Sequence, residues 1–170
     1  MTLKRIDPVV GTAAVLLLAA VVFAALAGWS WASAPRVSGL AQSRDQALRA
    51  GEQAVLNFNT LDYRAVGPGL RLWEQSSTGT LHAQVVAGQA SFAQQIRQAK
   101  TITTARVLDA ALTGLSARSA TIIVAIAITV TPASGAPNTK QNRLEGQLTK
   151  TSAGWKLSAL SQVPVQAVRS

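Results

Sequence analysis

The segment Asn57 to Arg64, NFNTLDYR, sets two amides, a hydroxyl, a carboxylate, a phenol and a guanidinium beside an aromatic ring. In a cleft, Asp62 and Tyr63 would make an acid–base pair, because such catalysis needs groups within hydrogen-bond reach of a substrate proton. The same residue types have a plainer use. Asn59, Thr60 and Asp62 end helices and start turns by bonding free backbone groups. The plainer use is favoured, because nothing in the spacing brings a second of the seven acids to Asp62. Asp109 and Glu145 fall on expected strands, where each is expected to pair with a surface arginine such as Arg106 or Arg143. His82 stands alone on an expected helix and reads as a surface or satisfied residue. Trp73 and Trp155 read as core or rim residues that bury a large ring and bond their N–H.

Several chemistries are excluded outright. The chain has no cysteine, so disulfides, thiolate metal sites and a thiol nucleophile are absent. One histidine cannot build a zinc site of several imidazoles. Gly67-Pro68-Gly69 lacks the Lys-Ser/Thr that follows a phosphate loop, and no nucleophile elbow occurs. The expectation is a protein with no catalytic residue, no metal and no cofactor.

The net charge is +9, from 16 basic and 7 acidic residues. The basic residues are scattered singly, as at Arg44, Arg49, Arg71, Arg97 and Arg118. A nucleic-acid groove would need them clustered and interleaved with aromatics. A solvated basic surface with some attraction to anionic headgroups fits better.

These residues need elements to hold them, and the first is an anchor. From Val9 to Ala34 no residue is charged, and the run VVGTAAVLLLAAVVFAALAGW is long enough to cross a hydrocarbon core, which takes about 20 residues. Its ten Val, Leu and Phe residues supply roughly −3 to −6 kcal/mol of insertion free energy. Trp29 and Trp31 stand where a helix leaves the bilayer, a zone their rings favour. Ala32-Ser33-Ala34 has the form of a signal-peptidase site, and cleavage there would release the domain. The apolar region of a cleaved signal is only about 7–15 residues, so length favours retention. The expected layout is a cytoplasmic tail over 1–8, a membrane helix over 9–31 and a stalk over 32–42. An extracytoplasmic domain over 43–165 and a tail over 166–170 complete it.

Within the domain, Ser43 is expected to cap a helix through Tyr63, with Gln46 as its capping-box partner. Ala47, Ala54, Phe58 and Leu61 share its face. Gly67-Pro68-Gly69 reads as a turn before a short helical piece, Leu70 to Trp73. Ser76 or Ser77 is expected to cap a further helix carrying Leu81, Val85, Phe92 and Ile96, with Gly88 as a weak point. After Lys100 the texture becomes β-branched. Four strands are expected: TITTARVLDAAL, ATIIVAIAITVTP, TKQNRLEGQLTKT and GWKLSALSQVP. Ile122, Val124, Ile126, Ile128 and Val130 share one face of the second. The fold class is therefore α+β, helices packed on a curved antiparallel sheet of about four strands.

The stretches RDQAL, AVLNFNTLDYR, SSTGTLH, QAKTITTARVLDAAL and TKQNRLEGQLTKTSAGWKLSALSQVP, behind one N-terminal span, resemble the actinobacterial Mce-associated membrane proteins. The resemblance implies a nuclear transport factor 2-like, cystatin-like cone, similar also to a periplasmic domain of type IV secretion machines. It implies no catalytic motif. It implies a non-enzymatic accessory role in stabilising or assembling an Mce-type lipid or sterol importer in the cell envelope, with protein partners and possible homo-oligomers.

Partner contact is expected at Asn59, Asp62, Tyr63, Arg64, Thr78 and His82. Two alternatives stand beside this role: a lipid- or small-ligand-binding cone with at most weak catalysis, its pocket between sheet and helices lined by Phe92, Ile126, Ile128 and Trp155, or a component resembling the periplasmic domain of type IV secretion machines.

Overall fold

The computed structural model describes residues 39–163. The expected cytoplasmic tail, membrane helix and C-terminal tail lie outside the described residues. No helix among the described residues is long and apolar enough to cross a membrane. Contacts divide the chain at Ser43/Arg44, and apart from the first residues of one helix the description that follows concerns the unit from Arg44 onward.

Helix α1 (39–59) is already under way four residues before Ser43. Ser43 is therefore not its cap: Leu40, Ala41 and Gln42 are competent helix formers, and residues 39–42 are already helical. Ala47, Gly51, Ala54 and Val55 are its buried stripe, at the spacing of one helical face. The small residues let α1 lie close on the sheet, and a Cβ at Gly51 would run into the Ile122 side chain.

Beyond α1 the chain departs from the continuous helix expected through Tyr63. Leu61–Asp62 form a two-residue strand, β1. Helix α2, Val66–Ser76, follows and includes Gly67-Pro68-Gly69. The expected turn is absent because Pro68 occupies the first helical turn, where a missing N–H and a φ near −65° are tolerated. Helix α3, Gly79–Ala99, starts from Thr78 rather than from Ser76 or Ser77. It runs unbroken through Gly88, whose missing side chain makes room for the Phe92 ring. Lys100 ends it in the left-handed region, φ 49°. Its N–H donates to the Ile96 carbonyl, and its own carbonyl accepts from Ala133.

Four long strands then run as a meander: β2 Thr101–Leu115, β3 Ser119–Pro132, β4 Asn138–Thr151 and β5 Gly154–Gln162. With β1 they make a five-stranded antiparallel sheet in sequential order, curled as a half-barrel. The fifth strand is missing from the sequence reading because two residues carry no periodicity. Strand β2 bulges between Val107 and Asp109 and between Leu112 and Gly114.

On the concave face Ile122, Val124 and Ile126 of β3 meet Leu144 and Leu148 of β4 and Trp155 and Leu157 of β5, under Ala47, Ala54 and Val55 of α1. Leu144 and Leu148 face inward, as the alternation predicts. Ile122, Ile126, Leu148 and Leu157 are fully buried, and each such side chain contributes about 1.5–3 kcal/mol by leaving water.

Candidate functional site

The aromatic and polar residues of the helical layer form one network. Asn57 near the end of α1 donates through Nδ2 to Ser76 Oγ at 2.6 Å and accepts from Gln53 at 2.9 Å. Its carbonyl accepts from Trp73 Nε1 at 2.8 Å. The Trp73 ring stacks on Phe58 with centroids 5.3 Å apart and meets Phe92 edge-on at 5.9 Å. Phe92 is therefore part of the seam joining α1, α2 and α3.

The expected contact residues fall into two places. In the first, Asn59 Nδ2 donates to the Val55 carbonyl at 2.8 Å and helps end α1. Asp62 Oδ1 accepts from the Arg64 backbone N–H at 2.9 Å and from its Nε at 3.1 Å. The Arg64 guanidinium also lies over the Tyr63 ring, 5.7 Å from its centroid. The Asp62 carboxyl is held below the usual carboxylate range, first by the Arg64 backbone N–H and then by its side chain. This is a locally satisfied turn with no second acid in it.

In the second, Thr78 donates its N–H to the Leu157 carbonyl at 2.8 Å and ties the α2–α3 junction to β5. Ser77, buried there, donates to the Trp73 carbonyl at 2.8 Å. His82 Nδ1 sits 3.1 Å from the Glu74 carbonyl. That contact requires the proton on Nδ1, because a carbonyl only accepts. Arg71, Glu74, His82 and Lys156 line a shallow hollow of about 380 Å³.

The four expected pocket residues do not meet around one cavity. Ile126 is fully buried and Trp155 is 7% exposed, both inside the packed core. The Trp155 Nε1 is buried without a hydrogen-bond partner, contrary to the expectation that its N–H is bonded. Its ring instead carries Lys150 Nζ, 5.6 Å from the centroid. The surface pairings expected of Asp109 and Glu145 are absent as well. Asp62–Arg64 is the one ion pair among the described residues. Arg143 and Asp109 both lie opposite Ala125 from its two sides, which puts them two strand spacings, roughly 10 Å, apart. Asp109 bonds the Ala110 N–H instead, at 2.8 Å.

Ile128 lies elsewhere, in an open trough of about 500 Å³ with Val130, Pro132, Ala136, Asn138, Lys140 and Asn142. Register explains it. Ile126, Ile128 and Val130 pair with Asn142, Lys140 and Asn138, so all six share the concave face that farther along carries the core. On the β1 side the same face is roofed by α2, where Leu61 packs against Gly69. On the β3–β4 side none of the described residues covers it. Sequence reasoning missed the β4 half of the trough. The signal available was the ASGAP loop, which aligns the polar alternation of TKQN with the apolar alternation before Pro132. No three metal-ligating side chains gather among the described residues.

This α+β unit shares its fold with several solved structures. An IcmL-like type IV secretion system protein from Legionella pneumophila superposes with a TM-score of 0.59 at 14% identity, covering 75% of this chain and 96% of that one. The periplasmic domain of DotI gives 0.58 at 17% identity, covering 69% and 93%. CagV, a VirB8 homologue of the type IV secretion system of Helicobacter pylori strain 26695, gives 0.55 at 12% identity, covering 69% and 96%. No curated protein matches in sequence. Residues 7–164 match the family described as "Uncharacterized protein Rv1363c/MT1408-like", and the chain belongs to that family.

Proposed function

We propose that the chain is a non-enzymatic accessory protein, anchored by residues 9–31 with its N-terminus in the cytoplasm. Its α+β domain works outside the cytoplasm as an assembly module in an envelope complex. The observation that supports this reading best is the fold. Two of the structures named above are described as type IV secretion proteins and the third as a periplasmic domain. A nuclear transport factor 2-like cone is the finer reading of that fold. A component of a secretion-type machine is the role the fold likeness favours. An Mce-type lipid or sterol importer is the complex implied by the sequence resemblance to Mce-associated proteins.

The local chemistry agrees with a module that binds rather than reacts. Asp62 and Arg64 satisfy one another in a turn, with the guanidinium over the Tyr63 ring, and His82 is occupied by a backbone carbonyl. The ligand-binding alternative needs an open interior, and Ile126 and Trp155 are packed inside it. The test is crosslinking of the tagged full chain in native membranes followed by mass spectrometry. Recovery of importer or secretion subunits supports the reading and tells the two complexes apart. Recovery of the chain alone overturns it.

A further inference from the structure

Strand β4 is paired on both sides for only part of its length. On the β3 side its register runs from Asn138 to Thr149 without a break. On the β5 side pairing begins at Leu144, and the last bond is Val163 N–H to the Arg143 carbonyl at 2.9 Å. In an antiparallel strand alternate residues turn their N–H and C=O to opposite neighbours. The Arg143 carbonyl faces the β5 side, so the backbone groups of Gln141 and Thr139 face that side too. Among the described residues nothing pairs with them. The Thr129 and Thr139 hydroxyls, 2.8 Å apart, fit the close side-chain spacing of such a pair.

This edge borders the trough. A row of backbone groups unpaired among the described residues, beside an apolar hollow, is the arrangement by which a sheet takes up an extended peptide: the backbone supplies affinity and the hollow reads side chains. Two other edges are unpaired over most of their length among the described residues: β2 beyond Thr103, whose two bulges bend and interrupt the ladder, and the outer side of β5, which Ser77 and Thr78 occupy at Leu157. The β4 edge carries no bulge from Asn138 to Gln147.

Charge selects the occupant. Lys140 lines the trough, on the same face as Ile128 and Val130, and makes no ion pair among the described residues. A second copy added edge to edge would bring another Lys140 towards the first, and like charges facing each other across strands destabilise the pair. We infer that the β4 edge at Thr139–Gln141 takes up an extended segment of a partner protein. That segment carries an acidic side chain opposite Lys140 and apolar side chains in the trough. The inference rests on the assembly reading, but its test needs no native partner.

The probe is a short peptide with valine, glutamate and valine on one face and threonines on the other. Its counterpart has lysine in place of glutamate. Each is titrated into the isotope-labelled full chain in detergent micelles, with amide shifts and hydrogen exchange as the readout. The acidic peptide is expected to bind and to protect the amides of Thr139 and Gln141. Gln141→Pro deletes an outward N–H without touching the β3 ladder, and is expected to weaken binding about tenfold, the loss of one hydrogen bond. Lys140→Glu leaves the backbone intact and is expected to reverse the preference between the two peptides.

Equal binding of both peptides by the unaltered chain, no binding, or shifts confined to β2 would overturn the inference. So would protection of these amides in the free protein that disappears when residues 164–170 are removed, since the chain's own tail would then be the occupant. Protection that rises with protein concentration alone would assign the edge to a second copy and overturn it equally.

Discussion

The Trp73 indole donates its N–H to the Asn57 carbonyl across 2.8 Å, and so joins α2 to the last turns of α1. Asn57 is one of the last three residues of that helix, where carbonyls lack an intrahelical partner. The bond therefore answers two needs at once: a carbonyl whose other partner is only the Thr60 N–H at 3.5 Å, and a partly buried indole donor. Trp73→Phe should keep most of the stacking on Phe58 and lose the bond. The expected cost is about 1 kcal/mol in urea unfolding. Trp73→Ala should cost more, roughly 3 kcal/mol, because the seam with Phe58 and Phe92 empties.

Gly51 on α1 faces the Ile122 and Leu148 side chains with no room for a Cβ. Gly51→Val is expected to destabilise by about 1–3 kcal/mol despite removing a flexible residue from a helix. Ile122→Val in the same chain should recover part of that loss. A double-mutant cycle should show a coupling above about 0.5 kcal/mol. Additive effects would mean that α1 does not rest on Ile122.

Position along β3 separates core from trough. Ile126 is fully buried, whereas Val130 two pairs on is 38% exposed. Ile126→Ala should cost about 2–5 kcal/mol. Val130→Ala should stay within about 1 kcal/mol. Equal losses in chemical denaturation would show that the far end of β3 is covered after all.

The Asp62 turn has a definite pH response. Its carboxyl is depressed in the fold, first by the Arg64 N–H. The stability this contributes is present above the unfolded pKa and is lost as pH falls through the folded one. The window therefore lies below the usual carboxylate range. A carbon-detected NMR titration should find the Asp62 midpoint lower in the protein than in a peptide of the same sequence. Arg64→Ala keeps the backbone donor, so the midpoint should rise only part of the way back.

Much of this architecture was legible from residue pattern. The alternation of β3 identifies Ile122, Val124 and Ile126 as core, and Leu144 and Leu148 as their partners. Helix ends were harder. Pro68 reads as a breaker, yet in a first turn it breaks nothing. Leu61 fits a helical stripe, yet two residues of pairing with β2 outweigh it. The candidate site was legible only in part. Asn59 and Asp62 behave as the helix terminator and turn former their types suggest. The trough depends on register across a loop, and single-strand periodicity does not carry register. The orphaned Trp155 N–H has no sequence signal, because burial of the ring by tertiary packing decides it.

Lys100 is the single residue between α3 and β2, and both its backbone N–H and its carbonyl are bonded. Such a junction has no slack. A pull on α3 is handed to the longest strand without a compliant hinge to absorb it. Helix and sheet therefore respond to mechanical load as one stiff lever.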